Sequence, residues 1–306
     1  MQLLHTTLGA YKEDQLDGLI LPHEHVFVDL RTPDQPGQGQ ADLEDVIRLM
    51  KPELEKAREA GISLIVECSP EGVGRRVDIL AAISKASAYP LVVPTGIYRE
   101  PWIPKWALAA SMEELQQWMY GELTDQVTQT GVKAGFIKLS AGDNGITPNE
   151  EKILRAAIRA AKEVNAVIAS HTIKANVLNR QLDILEKEGY SPTKFIWVHA
   201  SAETDVNLNL AAARRGAWIE YDWIGRPGKD EDIISRIKTF YAEGLEKHLL
   251  LSHDFGWYDP AKPGGGTPKP FTHISKVFIP RLRGEGFSES DIQLLFKANP
   301  FRAFSR

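Results

Sequence analysis

The run DGLILPHEHVFVD, from Asp17 to Asp29, decides how this chain is read. Its apolar, β-prone stretch Gly18 to Leu21 predicts a buried strand of a parallel sheet. Side chains alternate along a strand, so residues two apart share a face. His23 and His25 therefore leave the end of that strand as two imidazoles on one side, with Glu24 turned away to orient a ligand or pair with a base. Two neutral imidazoles are good ligands for a transition metal. A His-x-His pair by itself fits a satisfied core or surface pair equally well, and the rest of the chain decides what it means.

Working outward, the same kind of apolar run recurs, each followed by a helical pattern. Further strands are predicted at Ile62 to Cys68, Leu91 to Gly96, Ala134 to Leu139, Ala166 to His171, Phe195 to His199, Ala217 to Asp222 and His248 to Asp254. Helices are predicted at Asp42 to Ala60, Val73 to Ala88, Ser111 to Thr130, Pro148 to Asn165, Ala175 to Gly189, Glu203 to Arg215 and Lys229 to Gly244. Ser111 with Glu114 forms a capping-box pattern, and Thr147 before Pro148 reads as an N-cap. A Gly/Pro loop, Trp257 to Pro270, precedes two final helical stretches near His273 to Arg283 and Ser288 to Lys297. Eight strands alternating with helices predict an α/β chain closed as a (β/α)8 TIM barrel, with extra helix at the C-terminus. A doubly wound open sheet is the alternative; the strand count and the lack of a Gly-x-Gly-x-x-Gly turn after the first strand weigh against it.

The 306 residues show no composition shift or long linker, which predicts a single domain over 1–306. A hydrophobic content of 43% and a charged content of 25% are those of a soluble globular chain with a sizeable core. Lys and Arg are scattered and the net charge is −5, which gives no footprint for nucleic acid. Lys12, Glu13, Asp14 and Asp17 soon after a brief apolar start argue against a signal peptide, and no apolar run reaches membrane-spanning length. The single cysteine, Cys68, excludes an internal disulfide and reads as a small buried hydrophobe. A cytoplasmic protein is the expectation.

In a barrel the C-terminal ends of the strands share one rim, where barrel enzymes keep their active sites. That rim collects His23 and His25 from strand one, Lys138 from strand four, His171 from strand five, His199 from strand six and Asp254 from strand eight. With LPHEHV (His23, His25), GFIKLS (Lys138), ASHT (His171), WVHA (His199), LSHDFGW (Asp254) and the closing NPFRAF in this order, the whole chain resembles the phosphotriesterase family of the amidohydrolase superfamily, and within it the phosphotriesterase-like lactonases.

The resemblance implies that His23, His25 and Asp254 hold one divalent metal, that His171 and His199 hold a second, and that Lys138 is carboxylated on its amine and bridges the two. A free ammonium has no lone pair to offer; burial and neighbouring cations depress a lysine's pKa, and the neutral amine can then add carbon dioxide. It further implies a hydroxide shared between the metals that attacks an ester or lactone carbonyl, with Asp254 accepting the proton. Zinc is the first expectation for the metal, with cobalt, manganese and iron as alternatives. The expected activity is a lactonase with some phosphotriesterase activity. The alternatives are hydrolysis of phosphorylated sugar lactones, carboxylate esters or organophosphates, and, from another class, a non-catalytic barrel that only binds a metal or ligand. A homodimer is implied by the family, with the Trp102/Trp106 loop a candidate contact.

Residues around the rim bear on the substrate. Tyr98, in GIYREPW, resembles a lactonase tyrosine close to the metals and reads either as a substrate-orienting phenol or as packing. After strand seven many lactonases carry an Asp-Arg pair, whereas this chain has Asp222-Trp223, with Arg226 three residues on as a candidate replacement. Arg75, Arg76, Arg99, Lys174, Arg226 and Lys229 follow strands on the active-site side, where any could meet an anionic substrate group or simply face solvent. Trp257, Tyr258 and Phe271 form a candidate apolar lid, with Trp257 the candidate substrate contact. His253 is expected to be a core residue or one standing behind the ligands, and His5, His248 and His273 structural or exposed.

Overall fold

The computed structural model describes residues 2–306. Parallel strands alternate with helices around a closed ring, as predicted. The barrel strands are Leu19–Phe27, Ile62–Glu67, Leu91–Val92 continued by Pro94–Thr95, Phe136–Ser140, Ile168–His171, Phe195–Val198, Trp218–Tyr221, and Leu249–Leu251 continued by Gly256–Tyr258. Each pairs in parallel with its neighbours in sequence order. The last piece returns to the first strand, setting Gly256 opposite His25 and Tyr258 opposite Phe27, and this closes the ring.

Two apolar layers follow from strand alternation. Inside the barrel, Ile20, Leu64, Val66, Val92, Phe136, Val167, Ile196, Val198 and Leu250 pack together. Outside it, Leu21, Ile65, Leu91, Ile137, Ile168, Trp197 and Ile219 pack against the helix ring. The C-terminal helix Asn299–Phe304 covers the end of the barrel opposite the rim, with Phe304 edge-on to Phe136 at 5.0 Å. The chain termini meet there, through reciprocal backbone hydrogen bonds of 3.0 Å between Leu3 and Arg306.

The structure corrects several boundaries. The first strand does not end before the histidines but runs through them to Phe27. Strict alternation from the inward Ile20 would place Pro22 and Glu24 inside; a register shift against Ile62–Glu67, falling between Leu21 and Glu24, changes the phase and turns His23 and His25 inward instead. The helix expected to run to Thr130 stops at Thr124, although Ser111 and Glu114 form the capping box. The helix expected from Val73 begins at Val77, because Val73 is used to accept the backbone N–H of Asp29 at 3.0 Å. A short helix, Lys105–Ala109, lies in the Trp/Pro loop, and an unexpected hairpin pairs Leu4–Thr6 with Gly9–Tyr11. No described helix is long and apolar enough to cross a membrane.

Candidate active site

The rim of the barrel encloses a cavity of about 340 Å³. His23, His25, Tyr98, Lys138, His171, His199, Arg226, Asp254 and Trp257 all line it, so the whole set of site residues named from sequence comes together. His23 and His25 come from inside the first strand, Lys138 from the middle of Phe136–Ser140, and His171 from the last position of Ile168–His171. His199 and Asp254 follow their strands and adopt left-handed backbone, with φ of 63° and 60°. A non-glycine residue held there costs about 1–3 kcal/mol, and such residues cluster at functional sites. Two glycines let the strands approach. A Cβ on Gly96 would lie 2.1 Å from the Lys138 carbonyl oxygen, and one on Gly256 would lie 2.1 Å from that of His25.

His23, His25 and Asp254 bring ligand atoms within 4.8 Å of one another. Asp254 Oδ1 lies 3.1 Å from His25 Nε2 and 3.8 Å from His23 Nε2. The rings of His171 and His199 meet edge to face at 4.4 Å. Lys138 is 2% exposed and its amine pairs with no carboxylate among the described residues.

Behind these groups stands a buried shell of acids that the sequence reading did not single out as site residues. His23 Nδ1 lies 2.6 Å from Glu220 Oε1 and 3.3 Å from Asp222 Oδ2. Asp222 Oδ2 also accepts the backbone N–H of His199 at 2.9 Å. The same oxygen lies 2.9 Å from His199 Nδ1, in an orientation that makes no hydrogen bond. His23, His199 and Asp222 thus also form a group with metal-ligand spacing. Its backbone bond to His199 and its closeness to the Nδ1 side of both rings favour a supporting role for Asp222, of the kind that fixes a ligand's ring orientation. His25 Nδ1 meets Ser69 Oγ at 2.8 Å and Glu67 Oε1 at 3.5 Å. Glu220 lies in the strand Trp218–Tyr221 and Asp222 directly follows it, two apart, so alternation was the signal that could have revealed them.

Burial drives the protonation states. It lowers the pKa of His23 to about 3, against the pull of Asp222, and holds His171 well below the ordinary histidine value, with His199 and Lys138 adding to the effect. Both rings are thereby neutral and have lone pairs to offer. Burial also disfavours the His25 cation, but Asp254 and Glu67 outweigh it and raise the pKa to about 9. The same contact keeps Asp254 at about 2 despite its burial. Burial, with the charge of Asp222, pushes Glu220 well up, whereas His199 and His23 hold Asp222 well down. Burial raises the Tyr98 phenol to about 12, which keeps it a donor; its hydroxyl lies 3.1 Å from His171 Nδ1.

The structure sorts the rim cations. Arg75 does not face the cavity: it is buried against Glu122 at 2.5 Å and Glu71 at 2.8 Å. Arg76 pairs with Asp78 at 2.6 Å and Arg99 with Asp143 at 2.5 Å. Lys174 is exposed, away from the cavity lining, and Lys229 lies over Trp223 at 5.2 Å. Arg226 reaches the Oδ2 atom of Asp254 and stacks on Trp223 at 5.0 Å. Lys269, not considered from sequence, lines the cavity. Tyr258 and Phe271 are core residues and form no lid; Trp257 alone of the three faces the cavity. His253 is a core residue, bonded to Glu24 at 2.6 Å, and Cys68 is buried at the cavity wall, its thiol pushed up in pKa by burial.

The model of the phosphotriesterase family matches residues 2–304. The chain belongs to the phosphotriesterase family. Its relatives include the aryldialkylphosphatase of Saccharolobus solfataricus, 30% identical over 304 residues and covering 94% of this chain and 95% of that one. The phosphotriesterase homology protein of Escherichia coli is 26% identical over 291 residues, covering 94% and 98%. Among solved structures, a mutant of a phosphotriesterase-like lactonase from Deinococcus radiodurans superposes with a TM-score of 0.85 at 28% identity, covering 98% and 99%. Family membership supports a hydrolase acting on ester or phosphoester bonds of small molecules, on a (β/α)8 barrel.

Proposed function

We propose that residues 1–306 form one metal-dependent hydrolase whose substrates are lactones, with phosphotriesters as a secondary class. The observation that carries this reading is the convergence of four histidines and Asp254 around a buried lysine that has no acid partner among the described residues. The donor set fits a pair of divalent ions. Buried polar atoms left without partners, His171 Nε2, Glu220 Oε2 and Asp222 Oδ1, mark the same place; such groups are rare in folded proteins and point to an ion or water. In this reading His23, His25 and Asp254 would hold one ion, His171 and His199 the other, and Lys138, carboxylated, would join them. Zinc suits a mixed nitrogen and oxygen set, as do cobalt, manganese and iron. Bound there, the ions supply Lewis acidity, which polarises an acyl or phosphoryl oxygen and lowers the pKa of water.

The chain's own residues supply the rest. Asp254 turns Oδ1 toward the imidazoles and Oδ2 toward Arg226, and its carboxylate would accept the proton from the attacking water. Arg226 lies on that second oxygen and holds it in place. Tyr98, kept protonated by burial, donates toward the substrate beside His171. Trp257 packs edge-on to His25 at 5.5 Å and screens that side of the cavity from solvent. The name of the Saccharolobus relative supports the phosphotriester class, and that of the Deinococcus structure supports the lactone class. One hydroxide source suits either centre, so the choice rests on measurement.

The test is acid release, followed with a pH indicator, from metal-loaded protein presented with plain and substituted γ- and δ-lactones and one aryl phosphotriester. Lactone turnover well above that of the phosphotriester is the expected result. Cleavage of the phosphotriester alone, or of nothing, would overturn the lactonase reading.

A further inference from the structure

Around the mouth of the cavity, charge is spent unevenly. Asp254 is the one carboxylate of the lining, and Arg226 already engages it. Beyond that pair, Lys269 faces the same space with no carboxylate in ion-pairing range among the described residues. Its place is built, although the residue is exposed. The backbone N–H of Lys269 donates to the Gly256 carbonyl at 2.8 Å, and Gly256 N–H returns the bond to the Lys269 carbonyl at 3.1 Å. This reciprocal pair ties the long Gly/Pro loop to the strand piece that closes the barrel. The ammonium rests over two aromatic rings, 5.2 Å from the Phe255 centroid and 5.4 Å from that of Trp257. A cation on such a platform is partly oriented before any ligand arrives. The guanidinium of Arg226 is committed to Asp254 and stacked on Trp223, with its Nε–H sealed from the cavity. Lys269 is therefore the cation at the mouth left without a carboxylate of its own among the described residues.

We propose that Lys269 binds an anionic substituent of the substrate, a carboxylate or a phosphate. The group sits about one indole away from the reacting centre, because Trp257 touches His25 on one side and Lys269 on the other. This rests on the hydrolase reading above and narrows it: the preferred substrate is an acidic lactone or ester rather than a neutral one. An oxyanion there would pair with the ammonium, a contact of the charge-assisted kind.

The test compares matched γ-lactones on metal-loaded protein: one bearing a carboxymethyl group, one a phosphomethyl group, and the methyl ester of the first as a neutral isostere. Wild type should favour an acidic lactone over the methyl ester by about tenfold or more in kcat/KM, the scale of one charge-assisted contact. Lys269→Met should collapse that ratio toward one and Lys269→Arg should restore it. The carboxylate and phosphate arms identify which oxyanion is read. A wild-type ratio near one with brisk turnover of the neutral ester would overturn the proposal while leaving the hydrolase reading intact. If no lactone is cleaved, calorimetric titration of the same protein with glutarate and with inorganic phosphate decides: an affinity weakened at least about fivefold by Lys269→Met and regained in Lys269→Arg supports the subsite, and equal affinities across the three proteins refute it.

Discussion

Glu24 lies between the two histidines of the first strand and faces away from them, yet it organises the turn that presents Asp254. Its Oε1 accepts Ser252 Oγ at 2.8 Å, His253 N–H at 3.1 Å and His253 Nδ1 at 2.6 Å; Oε2 accepts Phe255 N–H at 2.7 Å. Because His253 Nε2 accepts Ile274 N–H at 2.8 Å, the proton of that ring belongs on Nδ1, facing Glu24. The side chain is fully buried. In Glu24→Gln the amide oxygen can keep one cluster of donors, but its NH2 must then face the Phe255 N–H. That replaces an acceptor with a donor against a buried donor. Leaving a buried group unsatisfied costs about 1–3 kcal/mol, and the lost charge-assisted bonds are of similar worth. The expected destabilisation is therefore on the order of 3 kcal/mol, or a fall in Tm of about 5 °C for a chain of this size. Calorimetry or far-UV melting measures the fall, and elemental analysis of the same sample measures bound metal, which should drop as Asp254 loses its backing. A variant that melts within about 1 °C of wild type, roughly 0.6 kcal/mol, and keeps its full metal complement would refute the role given to Glu24.

Other perturbations probe the remaining parts of the site. Lys138→Ala should lower bound metal and cut turnover on the order of a thousandfold if the proposed bridge holds; a variant retaining both metal and activity would sink the carboxylated-lysine assignment. Asp254→Asn should fold normally but lose about 10²–10⁴ in kcat, the range of a positioned acid or base, and near-wild-type turnover would place the proton acceptor elsewhere. Asp222→Asn should weaken metal affinity by about 10–100-fold, measured by competition with a chelating dye, and an unchanged affinity would show that Asp222 supports neither His23 nor His199. Gly256→Ala should destabilise the fold by at least about 2 kcal/mol in denaturant titration, because a Cβ there meets the His25 carbonyl and φ is +93°; tolerance would mean that the strands can part at the closure.

The barrel and the convergence of the site residues on its rim were legible in the sequence because both depend on short-range pattern. Alternating strand and helix periods announce a (β/α)8 ring, and ring closure brings His23, His25, Lys138, His171, His199 and Asp254 to one rim wherever they lie in the chain. What the pattern could not carry was phase and partnership. Regular alternation from Ile20 would have turned Pro22 and Glu24 inward; the register shift after Leu21, which depends on pairing with a strand forty residues on, reverses this. Arg75 and Arg99 looked like rim cations until Glu122 and Asp143 were seen to hold them, and Lys269 looked like loop until Gly256 and two aromatic rings fixed it. Charge type is a local property of a residue, written in its side chain. Whether that charge is neutralised, buried or left facing a cavity is decided by residues distant in the chain, and only the closed barrel brings those together.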